Sequence, residues 1–304
     1  MNKILVAEDD PASSKILEKT LKGWGYNVIL TDNGQDAWEV ISKQETQLAI
    51  LDWMMPKIDG LQLCRKIRQE KMDKYTYVIL LTSKQSKEDI YEGLSAGADD
   101  YISKPFHHLE LQARINTGKR IIQLENRLLE YQDHLEELAT RDGLTKLWNR
   151  RTILRHLEEE LHRSLRESQP IATIMIDVDH FKLINDKFGH HTGDDVLTYI
   201  ANQLEANLRP YDKLGRYGGD ELLIVLPNCS LRNAESIAER LRLVISARKI
   251  PTESGLMNVT ISLGVTSSEA KPYSTVKNMI KTSDTALYEA KAKGRDCVVI
   301  SKLD

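Results

Sequence analysis

The chain has 304 residues, 41% of them hydrophobic and 29% charged, which is enough for two domains with ordinary packed cores. Its formal net charge of −3 supplies no basic field and argues against a nucleic-acid binder held by electrostatics. Apolar runs such as 77–81 fall far short of the roughly 20 residues of a membrane span, no charged-then-apolar export signal opens the chain, and Cys64, Cys229 and Cys297 are dispersed without a CxxC pair, so a soluble cytoplasmic protein is expected.

The first hundred or so residues alternate short apolar or β-branched runs with helical stretches. Strands are expected at 4–7, 27–31, 48–51, 77–81 and 100–102, and helices at 11–23, 34–43, 60–70 and 87–96. That alternation predicts βαβ units, a parallel sheet with helices on both faces and a flavodoxin-like, doubly wound α/β domain whose ligands sit at the carboxyl ends of the strands. From about 109 to 138 the chain has no proline, and Ile121, Leu124, Leu128, Tyr131, Leu135 and Leu138 are spaced 3, 4, 3, 4, 3. This is the 3.5-residue repeat of a coiled-coil seam, held for under three heptads. An amphipathic helix packed on its own domain would read similarly; a dimeric coiled coil is the favoured expectation. Beyond 140, strands are expected at 171–178, 221–226, 258–266 and 297–300 and helices at 150–165, 194–208, 231–247 and 274–293. The mixed order predicts an α+β sheet with helices over one face. The expected organisation is a first domain over 1–125, a helical linker over 109–139 overlapping its last helix, and a second domain over 140–304.

Glu8, Asp9 and Asp10 end the first predicted strand and Asp52 the third, while Thr82 ends the fourth and Lys104 the fifth. In a parallel sheet these ends lie side by side, so four carboxylates converge on one edge. Like charges that close repel unless a cation binds, and oxygen ligands at this density suit Mg²⁺. A phosphoryl group on Asp52 could be held there, with Thr82 and Lys104 taking its oxygens. Alone, each aspartate is an ordinary turn or helix cap; repetition at four of five strand ends is not. The segments ILVAEDDP, LDWMMPKIDG, ILLTS and DYISKPF resemble the response-regulator receiver domain over about 1–125. The resemblance implies Asp52 as phosphoacceptor, Asp9, Asp52 and the Met54 carbonyl as ligands of Mg²⁺ (or Mn²⁺) with Glu8 completing the acidic pair, Thr82, Lys104 and Tyr101 as switch residues, a cis bond before Pro105, and a histidine kinase as phosphodonor.

The second domain carries IMIDVDHFKLINDKFGHHTGDDVL at 174–197 and RYGGDELLIVLP at 216–227. Asp177 and Asp179, two apart, share a strand face. Gly218-Gly219 between apolar stretches is a hairpin signal that presents Asp220 and Glu221 near Asp177. Three carboxylates around one point imply a divalent metal, and with lysine and arginine nearby the set fits phosphoryl or nucleotidyl transfer. Asn185 and Asp194 could read guanine, which offers Asp paired donors. GGDE and DxD are each weak alone; together with DGLTKLWNRR at 142–151 and YEAKAKGRD at 288–296 they resemble the GGDEF-domain family of diguanylate cyclases, over roughly 139–304, with Lys146 where glycine is common and Leu222 for the usual phenylalanine.

That resemblance implies a nucleotidyl-cyclase-like fold and an enzyme that condenses two GTP into cyclic di-GMP. It makes Asp177, the Val178 carbonyl, Asp220 and Glu221 the metal group (Mg²⁺ or Mn²⁺), and Asp220, Glu221 and Lys182 the catalytic set, with Asp220 as base. Asn185, Asp194, His190, Lys291 and Arg295 become substrate-binding residues, and Arg209, Asp212 and Arg240 an inhibitory product site. Bare RxxD is also an ordinary surface salt bridge. Because two GTP must meet, a homodimer is expected, switched by phosphorylation of the receiver, with neither nucleic acid nor membrane as partner. The competing expectation is a phospho-regulated adaptor that binds cyclic di-GMP without making it.

Overall fold

A computed structural model describes residues 2–83, 86–270 and 274–303. The chain divides into two compact units, Met1–His134 and Leu135–Asp304.

The N-terminal unit runs β1 (Lys3–Ala7), α1 (Pro11–Gly23), β2 (Asn27–Thr31), α2 (Gly34–Ser42), β3 (Leu48–Asp52), α3 (Gly60–Gln69), β4 (Tyr77–Thr82), α4 (Lys87–Ser95), β5 (Asp100–Ser103) and the start of the long α5 (His108–Thr140). All strands pair in parallel, in the order β2-β1-β3-β4-β5. The central β3 and β4 are buried at every position, so alternate side chains feed two cores. Ala49, Leu51, Val78 and Leu80 pack with α2 and α3 on one face. Ile50, Ile79 and Leu81 pack with Leu17, Leu21, Leu111 and Ile115 of α1 and α5 on the other. This is the doubly wound architecture that continuous apolar strands dictate. Asp10, Asn33, Asp59 and Ser86 cap the N-termini of α1 to α4, each accepting from an otherwise unpaired amide. Asp10 is thereby taken out of the acidic edge: its carboxylate accepts from Ser13 N at 2.8 Å, so three carboxylates converge there rather than four. The bond before Pro105 is cis.

Along α5 the packed residues stop at Ile122. Beyond it Leu124, Leu128, Tyr131, Leu135 and Leu138 are each more than half exposed. Ile121, the first residue of the predicted seam, is instead half-buried against the α1–α5 core.

The C-terminal unit contains α6 (Arg150–Glu167), β6 (Ala172–Val178), α7 (Phe181–Phe188), α8 (His190–Ala206), β7 (Lys213–Arg216), β8 (Glu221–Leu226), α9 (Leu231–Ser246), β9 (Ile250–Thr252), β10 (Gly255–Met257), β11 (Ile261–Ser267), α10 (Val276–Ala292) and β12 (Val298–Ile300). The main sheet has the order β12-β11-β6-β8-β7, antiparallel except for the β11–β12 pair, and β9–β10 form a separate hairpin. Helices cover both faces, not one as the sequence suggested. Ile174, Ile176, Leu222, Ile224 and Leu263 face α8 and α9, while Met175, Leu223 and Val225 face α6 and α10. The reason is legible in β6 and β11, which are buried at all seven positions; a strand with no solvated face needs a layer on each side. Helix α10 lies so close to β11 that a Cβ on Gly264 would stand 2.1 Å from Ser283 O and 2.2 Å from Leu287 N. No helix among the described residues is long and apolar enough to cross a membrane.

Two candidate sites, one in each unit

In the N-terminal unit the edge formed by the ends of β1, β3 and β5 gathers Glu8, Asp9 and Asp52. Each offers a carboxylate oxygen within 4.8 Å of the others, the one such metal-compatible group among the described residues. Lys104 answers this charge: its Nζ lies 2.7 Å from Glu8 Oε2 and 3.1 Å from Asp52 Oδ2. Burial pushes the Glu8 carboxyl up, with the hydrogen bond from Lys104 opposing it and the Asp52 charge adding to it. Burial pulls the Lys104 ammonium down, but hydrogen bonds to Glu8 and Asp52 outweigh it and hold it above its ordinary value. Three carboxylates against one ammonium leave negative charge uncompensated at a partly buried edge, the chemistry a divalent cation satisfies. Thr82 is buried at the end of β4, and its carbonyl accepts from Lys104 N at 2.7 Å. Met54 is 66% exposed beside the cluster, and Tyr101 is half-buried against the α2–α3 core.

In the C-terminal unit the focus is the end of β6. Asp177 is paired in register with Glu221 of β8 on one side and with Ser262 of β11 on the other, and directly opposed residues of antiparallel strands share a face. Asp220 lies next to them, its carbonyl accepting from Val178 N at 3.4 Å. Asp177 is 7% exposed. Burial raises its carboxyl to about 6, the charges of Asp220 and Glu221 push the same way, and Lys291, whose Nζ stands 2.7 Å from Asp177 Oδ2, opposes the rise. The chemistry of the donor set, carboxylate oxygens with one of them buried against a single ammonium, suits a divalent cation, but the oxygens of Asp177, Asp220 and Glu221 are not gathered within 4.8 Å of one another as those of Glu8, Asp9 and Asp52 are.

The hairpin predicted around the glycine pair is present, with β7 and β8 joined through 217–220. Neither Gly218 nor Gly219 has a left-handed backbone. A Cβ on Gly218 would stand 2.6 Å from Glu221 Oε2, the movable end of a long side chain, and a Cβ on Gly219 would meet nothing within 4 Å. The turn is held from outside by Arg216, whose Nη2 and Nε donate to Gly219 O at 2.7 and 3.0 Å and whose Nη1 meets Asp142 Oδ1 at 3.0 Å. Burial would raise the Asp142 carboxyl; the Thr145 amide and hydroxyl and the Arg216 guanidinium outweigh it and hold it low. Asp142 follows the end of α5 by two residues, and Ala139 O in that last turn accepts from Asn149 Nδ2 and Arg151 Nη2, both at 2.9 Å. The DGLTKLWNRR stretch therefore ties the helix end to the carboxylate-bearing loop, a role its composition does not announce.

Helices α7 and α8 meet at Gly189, whose φ of 87° a side chain would strain. They bring Asn185 against Gly193. Asn185 Oδ1 is buried without a hydrogen-bond partner, an acceptor left waiting for a donor. Lys182, His190 and Asp194 are exposed on the same two helices. A Cβ on Gly193 would lie 2.0 Å from Asn185 Oδ1. The Gly193→Ala substitution is accordingly expected to turn the Asn185 amide away from its buried position with little change in melting temperature; a crystal structure of the variant with a calorimetric melt checks this, and an unmoved amide would contradict it.

Asp179, which shares the Asp177 face, does not join the carboxylate group. It is 4% exposed and takes three donors: Ser262 Oγ, Thr260 Oγ1 and Asp296 N. Arg295, immediately before Asp296, is exposed. Elsewhere in the unit, Asp212 accepts from Arg209 N at 2.9 Å rather than from its guanidinium, which reaches Tyr211 instead. Burial raises the Asp212 carboxyl, and the nearby charges of Arg209 and Arg240 oppose this. Arg240 itself donates to Asn207 O at 2.9 Å.

An acid-edged, doubly wound sheet followed by an antiparallel sheet that gathers carboxylates, a lysine and an amide acceptor defines a receiver joined to a nucleotide-handling domain. The chain belongs to the GGDEF-domain diguanylate cyclase family. The family described as "Diguanylate cyclase, GGDEF domain" matches residues 139–297, and "Response regulator receiver domain" matches residues 4–116. Response regulator PleD of Caulobacter vibrioides is 31% identical over 299 residues, covering 98% of this chain and 65% of PleD. Thus the chain spans about two thirds of that relative's length. Diguanylate cyclase DgcP of Pseudomonas aeruginosa is 35% identical over 209 residues, 67% of this chain and 31% of DgcP. Among solved structures, the coiled coil and GGDEF domain of DgcB from Caulobacter crescentus, in complex with c-di-GMP, is similar with a TM-score of 0.56 at 29% identity, covering 63% of this chain and 99% of that one.

Proposed function

We propose that the protein is a diguanylate cyclase that condenses two GTP into cyclic di-GMP and two pyrophosphates, switched on by phosphorylation of Asp52. The observation that carries the catalytic half is the register pairing of buried Asp177 with Glu221, next to Asp220 and in contact with Lys291. Asn185 and Asp194 read the guanine, the orphaned Asn185 Oδ1 accepting from its exocyclic amine, with His190 at the same helix start. Lys291, Arg295 and Lys182 bind the phosphates. Asp177, the Val178 carbonyl, Asp220 and Glu221 would hold Mg²⁺ or Mn²⁺, which when bound supplies charge neutralisation at the phosphate oxygens. Asp220 takes the proton of the 3′-hydroxyl of one GTP as its oxygen attacks the α-phosphorus of the other; the bond from that phosphorus to the β-phosphate bridge breaks and pyrophosphate leaves. The same exchange in the opposite sense closes the ring.

Each catalytic domain carries one GTP in this scheme, so two chains must face each other. The exposed Leu124, Leu128, Tyr131, Leu135 and Leu138 of α5 are the seam of a homodimeric coiled coil that raises the effective concentration of the pair. On the receiver, Glu8, Asp9, Asp52 and the Met54 carbonyl would hold Mg²⁺ or Mn²⁺. The Asp52 carboxylate attacks a phosphohistidine of a histidine kinase; the phosphoryl group passes to Asp52 and the histidine leaves. Thr82 and Lys104 then hold the new oxygens, Tyr101 repacks, and the altered packing of α5 lets the catalytic domains meet. The working compartment is the cytoplasm, and the working units are a receiver over 1–125, a linker over 109–139 and a cyclase over 140–304.

Incubation of the purified chain with GTP and Mg²⁺, followed by nucleotide chromatography, tests the reading: cyclic di-GMP must appear. Binding of cyclic di-GMP without its synthesis would instead make the protein an adaptor. Product is also proposed to inhibit, bound by Arg209, Asp212 and Arg240 through guanidinium contacts to guanine or phosphate. The Arg209→Ala substitution is expected to raise the cyclic di-GMP concentration for half-inhibition by about tenfold, read from initial rates at graded product concentrations.

A further inference from the structure

Arg295, one of the phosphate-binding cations proposed above, lies on a stretch of chain with an unfavourable backbone. Gly294, Arg295 and Asp296 follow α10 with φ of 109°, 68° and 44°. A residue with a Cβ is disfavoured in the left-handed region, and two in succession persist only where their surroundings hold them. The holders are visible. Asp179 Oδ2 accepts from Asp296 N at 3.0 Å, and Arg242 Nη1 meets Asp296 Oδ1 at 2.7 Å. The Asp179 carboxylate is itself oriented by Thr260 Oγ1 at 2.7 Å and Ser262 Oγ at 2.6 Å, both from the segment at the start of β11. Its acceptors are thus engaged by neutral donors of the chain, and it is not offered to an ion.

We propose that Asp179 is a positioning residue for the triphosphate end of the substrate: by holding the Asp296 amide it fixes the left-handed turn from which Arg295 projects, next to Lys291 on the end of α10. This rests on the reading of Arg295 and Lys291 as phosphate-binding cations. The two members of the DxD pair then divide the work, Asp177 facing the cations and Asp179 the backbone that carries them.

The test uses the full chain in Mg²⁺, with a GTP analogue bearing a methylene bridge between its α- and β-phosphates, which cannot turn over, and with GMP, which lacks the tail. The wild-type protein is expected to bind the analogue more tightly. The Asp179→Ala substitution is expected to weaken the analogue by about tenfold and GMP by less than about twofold. In an Arg295→Ala background the further loss should shrink below about threefold. The Asp179→Asn substitution keeps an oxygen for the Asp296 amide and turns its own amide toward the Ser262 hydroxyl, which can accept, so it should restore the analogue to within about threefold of wild type. Should Asp179→Ala not fold, Thr260→Val removes one orienting donor and is expected to give a smaller loss of the same selectivity. Equal losses for analogue and GMP, or an undiminished loss in the Arg295→Ala background, would overturn the proposal. A wild-type protein that binds both ligands equally would instead remove the phosphate reading beneath it, an outcome visible before any variant is made.

Discussion

Replacement of Asp177 by asparagine is expected to lower cyclic di-GMP formation by about 10³-fold or more while leaving the metal-free fold at least as stable at pH 7.5. The two effects have opposite signs because the carboxylate sits where function needs it and folding does not. It is 7% exposed, its carboxyl is raised by burial to about 6 from an ordinary 3.8, and the Lys291 ammonium only partly opposes that rise. The folded chain therefore holds this proton more tightly than the unfolded chain. The resulting stabilisation is whole below about pH 4 and is lost as pH rises through about 6. An asparagine does not titrate, so the difference in melting temperature between variant and wild type should move in favour of the variant across that window and level off above it. Differential scanning calorimetry from pH 4 to pH 8 without divalent metal, beside a chromatographic cyclase assay, checks both halves. A variant with the wild-type rate, or one steadily less stable above pH 6, would contradict the assignment.

The second large effect belongs to the receiver. Beryllofluoride, which mimics a phosphoryl group on aspartate, is expected to stimulate the wild-type cyclase by about tenfold or more, corresponding to a shift of at least about 1.4 kcal/mol between inactive and active arrangements. Asp52→Asn should reduce the ratio of stimulated to unstimulated rate to one. The physical basis is the pairing of Asp52 and Glu8 through a single ammonium: Lys104 Nζ contacts both carboxylates. A phosphoryl group on Asp52 adds charge that Lys104 must answer, and Lys104 begins the segment after β5, whose backbone is joined to Thr82. Persistent stimulation in Asp52→Asn would place the switch elsewhere, without touching the catalytic assignment.

Much of the receiver was readable because its signals are local. Apolar runs bounded by cap residues define β1 to β5 to within a residue or so, and a parallel sheet brings strand ends together whatever their sequence separation. The same logic located Glu8, Asp9 and Asp52. It failed for Asp10 because an aspartate three residues before a free amide is also a good helix cap, and capping prevailed. In the C-terminal unit the chemistry was easier to read than the topology. The short edge strand β7 and the β9–β10 hairpin lack an apolar run of useful length. The helical segment predicted from 194 begins earlier, at His190, after a separate α7; periodicity is weak where polar residues interrupt it.

Sequence alone determined the kind of chemistry, because acidic, basic and amide side chains carry their donors, acceptors and charges wherever the chain goes. What only the tertiary structure decided is which groups meet. Asp177 and Asp179 are indistinguishable in the motif, yet one is set against Lys291 and Glu221 and the other is enclosed by Thr260, Ser262 and Asp296. The partners that separate them come from residues about 40 to 120 positions downstream, and no local pattern encodes a contact whose two halves are brought together only when the sheet closes.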